Sequence, residues 1–198
     1  MKSKIGALKG AALFTAFVTV VSLQTACSDN GPKASLTNFT DTLTTYAVNG
    51  TPLGSPSGLW FFARQAVRVD NAFSFDVAFD IDQSSGELRL YPQALIAGGL
   101  VPVRSVGIKR STTNFDDLLR AENSGYAFDS VFVARSGDVF LVQSNDATAC
   151  SVLSFGTVIY AKLQVLEVNP ASRTISSRFT VNPNCGFLSL IPEGTPKN

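Results

Sequence analysis

The chain has 198 residues, with 16 Lys and Arg, 15 Asp and Glu and no histidine, for a formal net charge of +1. The absence of histidine removes the commonest general base, the histidine-dependent triads and the imidazole metal sites. A chain of this length suits one domain with a sizeable core, and a charge balance this close to neutral gives no electrostatic case for nucleic acid.

Residues 1–26 fall into three zones: a head carrying Lys2, Lys4 and Lys9 without an acid, a small or apolar run from Gly10 to Leu23, and a short polar exit from Gln24 to Ala26. That order is the layout of an export signal. As a helix, the run would reach only about 21 Å, short of a hydrocarbon core of ~30 Å, so a processed signal is expected rather than a membrane span. The segment Gln24-Thr25-Ala26-Cys27-Ser28 resembles the lipobox of bacterial lipoproteins, in which small residues precede a cysteine that is acylated and becomes the new N-terminus. Such signals usually carry a branched aliphatic residue where Gln24 stands; Leu23 sits one place early. Cleavage after Ser28 is the competing expectation and would discard Cys27. Acylation at Cys27 is preferred because the lone cysteine falls where an anchor needs it. The expected location is then the bacterial cell envelope, lipid-anchored at the outer membrane or cell surface, with a secreted or periplasmic chain as the alternative. Losing the signal takes three of the 16 bases, leaving 13 against 15 acids, so the mature domain is near minus two.

Residues 27–58 are rich in Ser, Thr, Asn, Gly and Pro and read as a flexible polar tether with at most one strand, around Leu43 to Val48. Residues 59–198 read as an antiparallel β domain. Leu59-Trp60-Phe61-Phe62 places four large apolar residues on both faces of one strand. Either that strand is central and doubly covered, or Trp60, Phe61 and Phe62 line a ligand pocket or partner surface. In the next run Phe73, Phe75, Val77, Phe79 and Ile81 alternate with Ser74, Asp76, Ala78, Asp80 and Asp82, which predicts a strand with one buried and one wet face. Gln83-Ser84-Ser85-Gly86 turns it into a hairpin with Leu88 to Tyr91.

The one helical signal is Asn114 to Ala121, with a capping residue, acids in the first turn and Arg120 near its end. A second hairpin is read from Ser130 to Ala134 and Val139 to Val142. A third joins Tyr160 to Val168 with Thr174 to Val181, its apolar positions changing phase between Val165 and Leu166, which predicts a bulge or a strand buried on both sides. The expected class is therefore all-β, an antiparallel sheet domain built from hairpins with one short helix. Cys150 and Cys185 remain once Cys27 is set aside, an even pair in a chain bound for an oxidising compartment, and a disulfide is the natural reading. Two buried free thiols are the alternative.

Carboxylates are what remain for chemistry. Asp80 and Asp82 would stand about 6.5–7 Å apart on one strand face, within reach of acid–base pairing, though a wet strand face needs polar residues anyway. The run Asp80 to Tyr91 only faintly follows a calcium loop, with Ser85 where glycine belongs and Tyr91 where the closing glutamate belongs. No catalytic residue, metal site or cofactor is assigned, and the chain is read as a non-enzyme.

Three segments taken together, FSFDVAFDI (73–81), NFDDLLRAENSGYAFDS (114–130) and YAKLQVLEVNPASRTISSRFTV (160–181), resemble the HmuY-type family of bacterial lipoproteins. The resemblance implies an all-β surface lipoprotein whose characterised members capture haem through paired histidine or methionine side chains. This chain has no His, and its one Met is Met1, so no ligand residue carries over. Tyr91, Tyr126 and Tyr160 are the remaining candidates for ferric iron, with a core or rim role preferred for each. Two functions stand at this point: an anchored binding module for an apolar ligand, haem-related as in that family, or a structural or protein-interaction envelope lipoprotein with no small ligand. The partners expected are the membrane through the N-terminal lipid, and an apolar small molecule or an envelope protein.

Overall fold

The computed structural model describes residues 34–70, 74–97, 104–150 and 156–192. The chain divides after Pro32 into two units, and every described residue belongs to the second. The export signal, Cys27 and Phe73 lie outside the described residues. No helix among the described residues is long and apolar enough to cross a membrane.

In chain order the elements are β1 (Phe39–Tyr46), β2 (Pro56–Trp60), β3 (Gln65–Arg68), β4 (Val77–Ile81), β5 (Leu88–Pro92), the helical turn α1 (Gln93–Ile96), β6 (Ser105–Ser111), β7 (Phe132–Ala134), β8 (Val139–Asn145), the helical turn α2 (Ala147–Cys150), β9 (Ile159–Asn169) and β10 (Thr174–Asn182). They form two five-stranded sheets, ordered β1-β10-β9-β8-β6 and β3-β2-β4-β5-β7, with every pairing antiparallel. The class is all-β, as expected. One apolar core joins the sheets: Leu59, Phe61, Val77, Phe79, Ile81 and Leu90 of the second meet Ile108, Phe140, Leu163, Ile175 and Phe179 of the first. Face-to-face packing of two sheets through such alternating side chains defines a β-sandwich.

The tether assignment is corrected for residues 34–58. Thr40, Thr42 and Thr44 alternate with Phe39, Asp41 and Leu43, and β-branched Thr suits an edge strand; β1 pairs with β10 along its whole length, from Phe39 opposite Val181 to Tyr46 opposite Thr174. The segment before it is pinned too, since the Ser35 and Leu36 amides donate to Asn184 Oδ1 at 3.0 and 2.9 Å. A Ser/Thr-rich composition resembles a linker, but the partner that makes it a strand lies more than a hundred residues away.

The β4–β5 hairpin is present, with Ile81 opposite Leu88 and Val77 opposite Pro92. Its wet face is not. All five residues of β4 are buried, because Ala78 packs with Phe75 and Ala97 in a second apolar cluster that α1 helps to cover. The alternation also breaks at a bend at Asp76: Phe75 faces that outer cluster while Val77, Phe79 and Ile81 face the main core.

β7 and β8 are not a hairpin. β7 pairs with β5 in the second sheet, and β8 with β6 and β9 in the first, so residues 135–138 carry the chain from one sheet to the other. Phe132 and Phe140 then meet edge to face across the core, ring centroids 5.9 Å apart. The β9–β10 hairpin is as read, and its bulge falls at the predicted place: Ser176 opposes Glu167 and Ser177 opposes Val165, leaving Leu166 unpaired.

The helix expected at 114–121 is a single turn, closed by the Leu118 amide on the Asn114 carbonyl at 3.0 Å. The short helices lie instead at α1 and α2. Lys162, on the outer face of β9 and fully buried, donates to the Phe115 and Leu118 carbonyls at 2.6 and 3.0 Å, capturing acceptors that a further helical turn would use. Phe115, Leu118 and Ala121 cover Leu141 and Tyr160 on that outer face.

Candidate functional site

The densest buried polar group sits between the sheets at one end of the sandwich. Asp76 enters just before β4, Ser144 from the end of β8, Asp146 just beyond it and Arg104 just before β6. All four are nearly inaccessible to solvent. The Ser144 hydroxyl donates to Asp76 Oδ1 at 2.6 Å and the Phe61 amide to Asp76 Oδ2 at 2.8 Å. Arg104 Nε donates to Asp146 Oδ2 at 2.8 Å and lies 3.9 Å from Asp76 Oδ1.

Trp60, the last residue of β2, is drawn into this cluster. Its indole Nε1 donates to Asp146 Oδ2 at 3.3 Å, and the Arg104 guanidinium lies over its ring, 4.7 Å from the centroid. Gln93 completes the arrangement by accepting the Arg104 amide at 2.8 Å and donating to the Phe75 carbonyl at 2.5 Å. Two carboxylates thus surround one guanidinium. Burial pushes the Asp76 carboxyl up, outweighing the Ser144 hydroxyl, Arg104 and the Phe61 amide, and the neighbouring Asp146 adds to the rise. Burial acts in the same sense on Asp146, but the Ala149 amide, Arg104 and Trp60 prevail and hold it low.

The aromatic stretch is not one continuous strand. β2 stops at Trp60, and residues 61–64 turn back into β3, ending on Arg64 at φ 59°. Phe61 points into the core, edge-on to Phe179 at 5.4 Å between centroids, and Phe62 packs against the same core. The three side chains therefore have separate partners within the fold, Phe61 fully buried and Trp60 and Phe62 partly so. Neither of the two grooves that follow is lined by them: one of 310 Å³ lies against the turns at 85–87, 134–136 and 168–170, the other against residues 120–123 and Leu188.

The carboxylates of the β4 face are corrected likewise. Asp80 is buried and accepts from Asn49 Nδ2 at 2.8 Å and from Arg173 at 3.2 Å. Asp82 caps the β4–β5 turn, its Oδ1 accepting from the Ser84 and Ser85 amides, both at 2.9 Å; the Ser84 hydroxyl and these amides hold it well below the usual carboxylate range. The pair is split between two structural tasks and offers no acid–base geometry. Among the described residues no group of three or more His, Cys, Asp or Glu could hold a metal ion.

Tyr126 and Tyr160 stack obliquely, 6.3 Å apart. Burial raises the pKa of both hydroxyls, and Tyr160 and Glu122 add to the rise at Tyr126. Cys150, at the end of α2, is bonded to Cys185, Cα atoms 5.7 Å apart. The Arg104 cluster adjoins this bridge, because the Asp146 carbonyl accepts the Cys150 amide at 2.9 Å.

Sequence reasoning missed Arg104, Ser144 and Asp146. The single available signal was an arginine directly after fourteen uncharged residues, Leu90 to Val103. No family model, curated protein or solved structure matches the chain.

Proposed function

We propose that this chain is a lipid-anchored envelope protein whose sandwich works by surface contact with a protein partner, neither as an enzyme nor as a container for a small apolar ligand. The observation that carries this reading is the internal commitment of Trp60, Phe61 and Phe62: a binding wall keeps its aromatic faces open, and these three are engaged by Arg104 and Asp146, by Phe179 and by the core. Two further features support it. Val131 and Val133 stand exposed beside and on the edge strand β7, 46 and 42 % accessible, and the core between the sheets is filled by side chains from both. The lipobox-like Cys27 and the resemblance to HmuY-type lipoproteins support the envelope placement.

The test is a titration of the mature domain with haem and a panel of apolar ligands, following Trp60 emission and haem absorbance. No saturable response is expected. A stoichiometric, saturating change would restore the apolar-ligand reading. For the anchor, Cys27→Ser is expected to release the protein from the membrane fraction, since each buried acyl methylene contributes about 0.8 kcal/mol. A wild-type chain found wholly in the soluble fraction, without incorporated fatty acid, would remove the anchor from the proposal.

A further inference from the structure

We propose that the cluster around Arg104 is a proton-responsive joint between the two sheets, in which the native domain takes up one proton at Asp76. The geometry leads to this by charge count. Asp76 comes from the second sheet and Asp146 from the first, both buried, with one guanidinium between them. A buried charge is tolerated when it is paired, and Arg104 is committed to Asp146, at 2.8 Å against 3.9 Å to Asp76. The direct hydrogen bonds of Asp76 come from neutral donors, the Ser144 hydroxyl and the Phe61 amide, with Arg104 farther off at 3.9 Å. Among the described residues, the other side chains hydrogen-bonded at the cluster, Trp60 and Gln93, are neutral too.

A proton on Asp76 needs no rearrangement. Oδ2 keeps the Phe61 amide, and the new Oδ1–H donates to Ser144 Oγ, which accepts where it had donated. Asp146 stays ionised against Arg104, so the joint then holds one negative and one positive charge. Asp76 binds its proton more tightly folded than unfolded, so stability grows as pH falls through its folded value and levels off near the ordinary aspartate range. Asp146 has the opposite sign: its contribution is full above the ordinary range and is lost as pH falls through its depressed value. This end of the sandwich is therefore tightest in moderate acid, between the two titrations.

Trp60 is the one tryptophan in the chain and reports on the cluster directly. The experiment is a pH titration of Trp60 emission in the folded mature domain, with urea midpoints at pH 7.5 and pH 5, for wild type and Asp76→Asn. Expected are a one-proton emission step in the wild type, absent from Asp76→Asn, and a midpoint difference between the two proteins that shifts in favour of the wild type from pH 7.5 to pH 5. A step that persists in Asp76→Asn, or a midpoint difference that does not change with pH, overturns the proposal. Should Asp76→Asn not fold, Ser144→Ala serves instead. Loss of a hydrogen bond to the ionised form is expected to move the wild-type step to higher pH, and an unmoved step overturns the proposal equally.

Discussion

Arg173, in the turn between β9 and β10 of the first sheet, lies 3.2 Å from Asp80 on β4 of the second. Its guanidinium also donates to the carbonyls of Asn49 at 2.7 Å and Ile81 at 2.6 Å, so one side chain fastens three segments at the end of the sandwich opposite the Arg104 cluster. Both partners are largely shielded from water. Arg173→Met would strand a shielded carboxylate and two carbonyls, a loss of about 2–3 kcal/mol. Asp80→Asn, whose one amide oxygen still accepts from the Asn49 backbone amide and Arg173 while the Asn49 Nδ2 bond is lost, is expected to cost less. Urea unfolding of the two variants gives the ranking directly, and equal losses would show that the charge matters more than the hydrogen-bond pattern.

Lys162 gives a pH dependence of definite sign. Burial lowers its pKa from 10.5 to about 8, partly countered by Asp116. In the unfolded chain the amine keeps its proton up to the ordinary value, so between pH 8 and 10.5 the unfolded state binds more protons and stability rises with pH. Lys162→Met removes this component, leaving the Phe115 and Leu118 carbonyls without their donor. The wild-type-minus-variant difference in unfolding free energy is expected to grow from pH 7.5 to pH 10, by no more than about 3 kcal/mol. A difference that shrinks over that range would mean that the carbonyls and the Phe115 ring, 4.4 Å from Nζ, hold the ammonium in its charged form.

The Cys150–Cys185 bridge spans a sequence separation of 35 and ties α2 to the segment after β10. Replacing both cysteines by alanine is expected to cost about 3.5–4 kcal/mol through the added freedom of the unfolded chain. Thiol alkylation of the denatured, unreduced protein should find neither residue free. Two labelled thiols at Cys150 and Cys185 would contradict the pairing.

The parts of this fold that were legible in the sequence are those whose partners are near in the chain. The β4–β5 and β9–β10 hairpins and the bulge at Leu166 follow from local alternation and turn residues. The rest depends on distant partners. Threonine-rich β1 becomes a strand only when β10 supplies its ladder. Val139 follows Ala134 so closely that a hairpin is the local expectation, yet the two strands belong to different sheets. The acids of β4 looked solvated because nothing in the sequence places α1, Asn49 or Arg173 over that face. For the candidate site, Trp60 was singled out for its aromatic ring, whereas its role depends on Arg104 and Asp146, 44 and 86 residues further on.

Whether Phe61 is a core residue or a ligand contact is the point on which the functional account turns. Its ring is 1 % accessible and lies edge-on against Phe179 between the sheets. Truncation of such a side chain leaves a cavity and costs about 3–5 kcal/mol. The measurement is equilibrium urea unfolding of the ligand-free mature domain, wild type against Phe61→Ala. A loss in that range is predicted; a loss below about 1 kcal/mol, within the range of surface substitutions, would mean that the ring is spare for a ligand and would contradict the account.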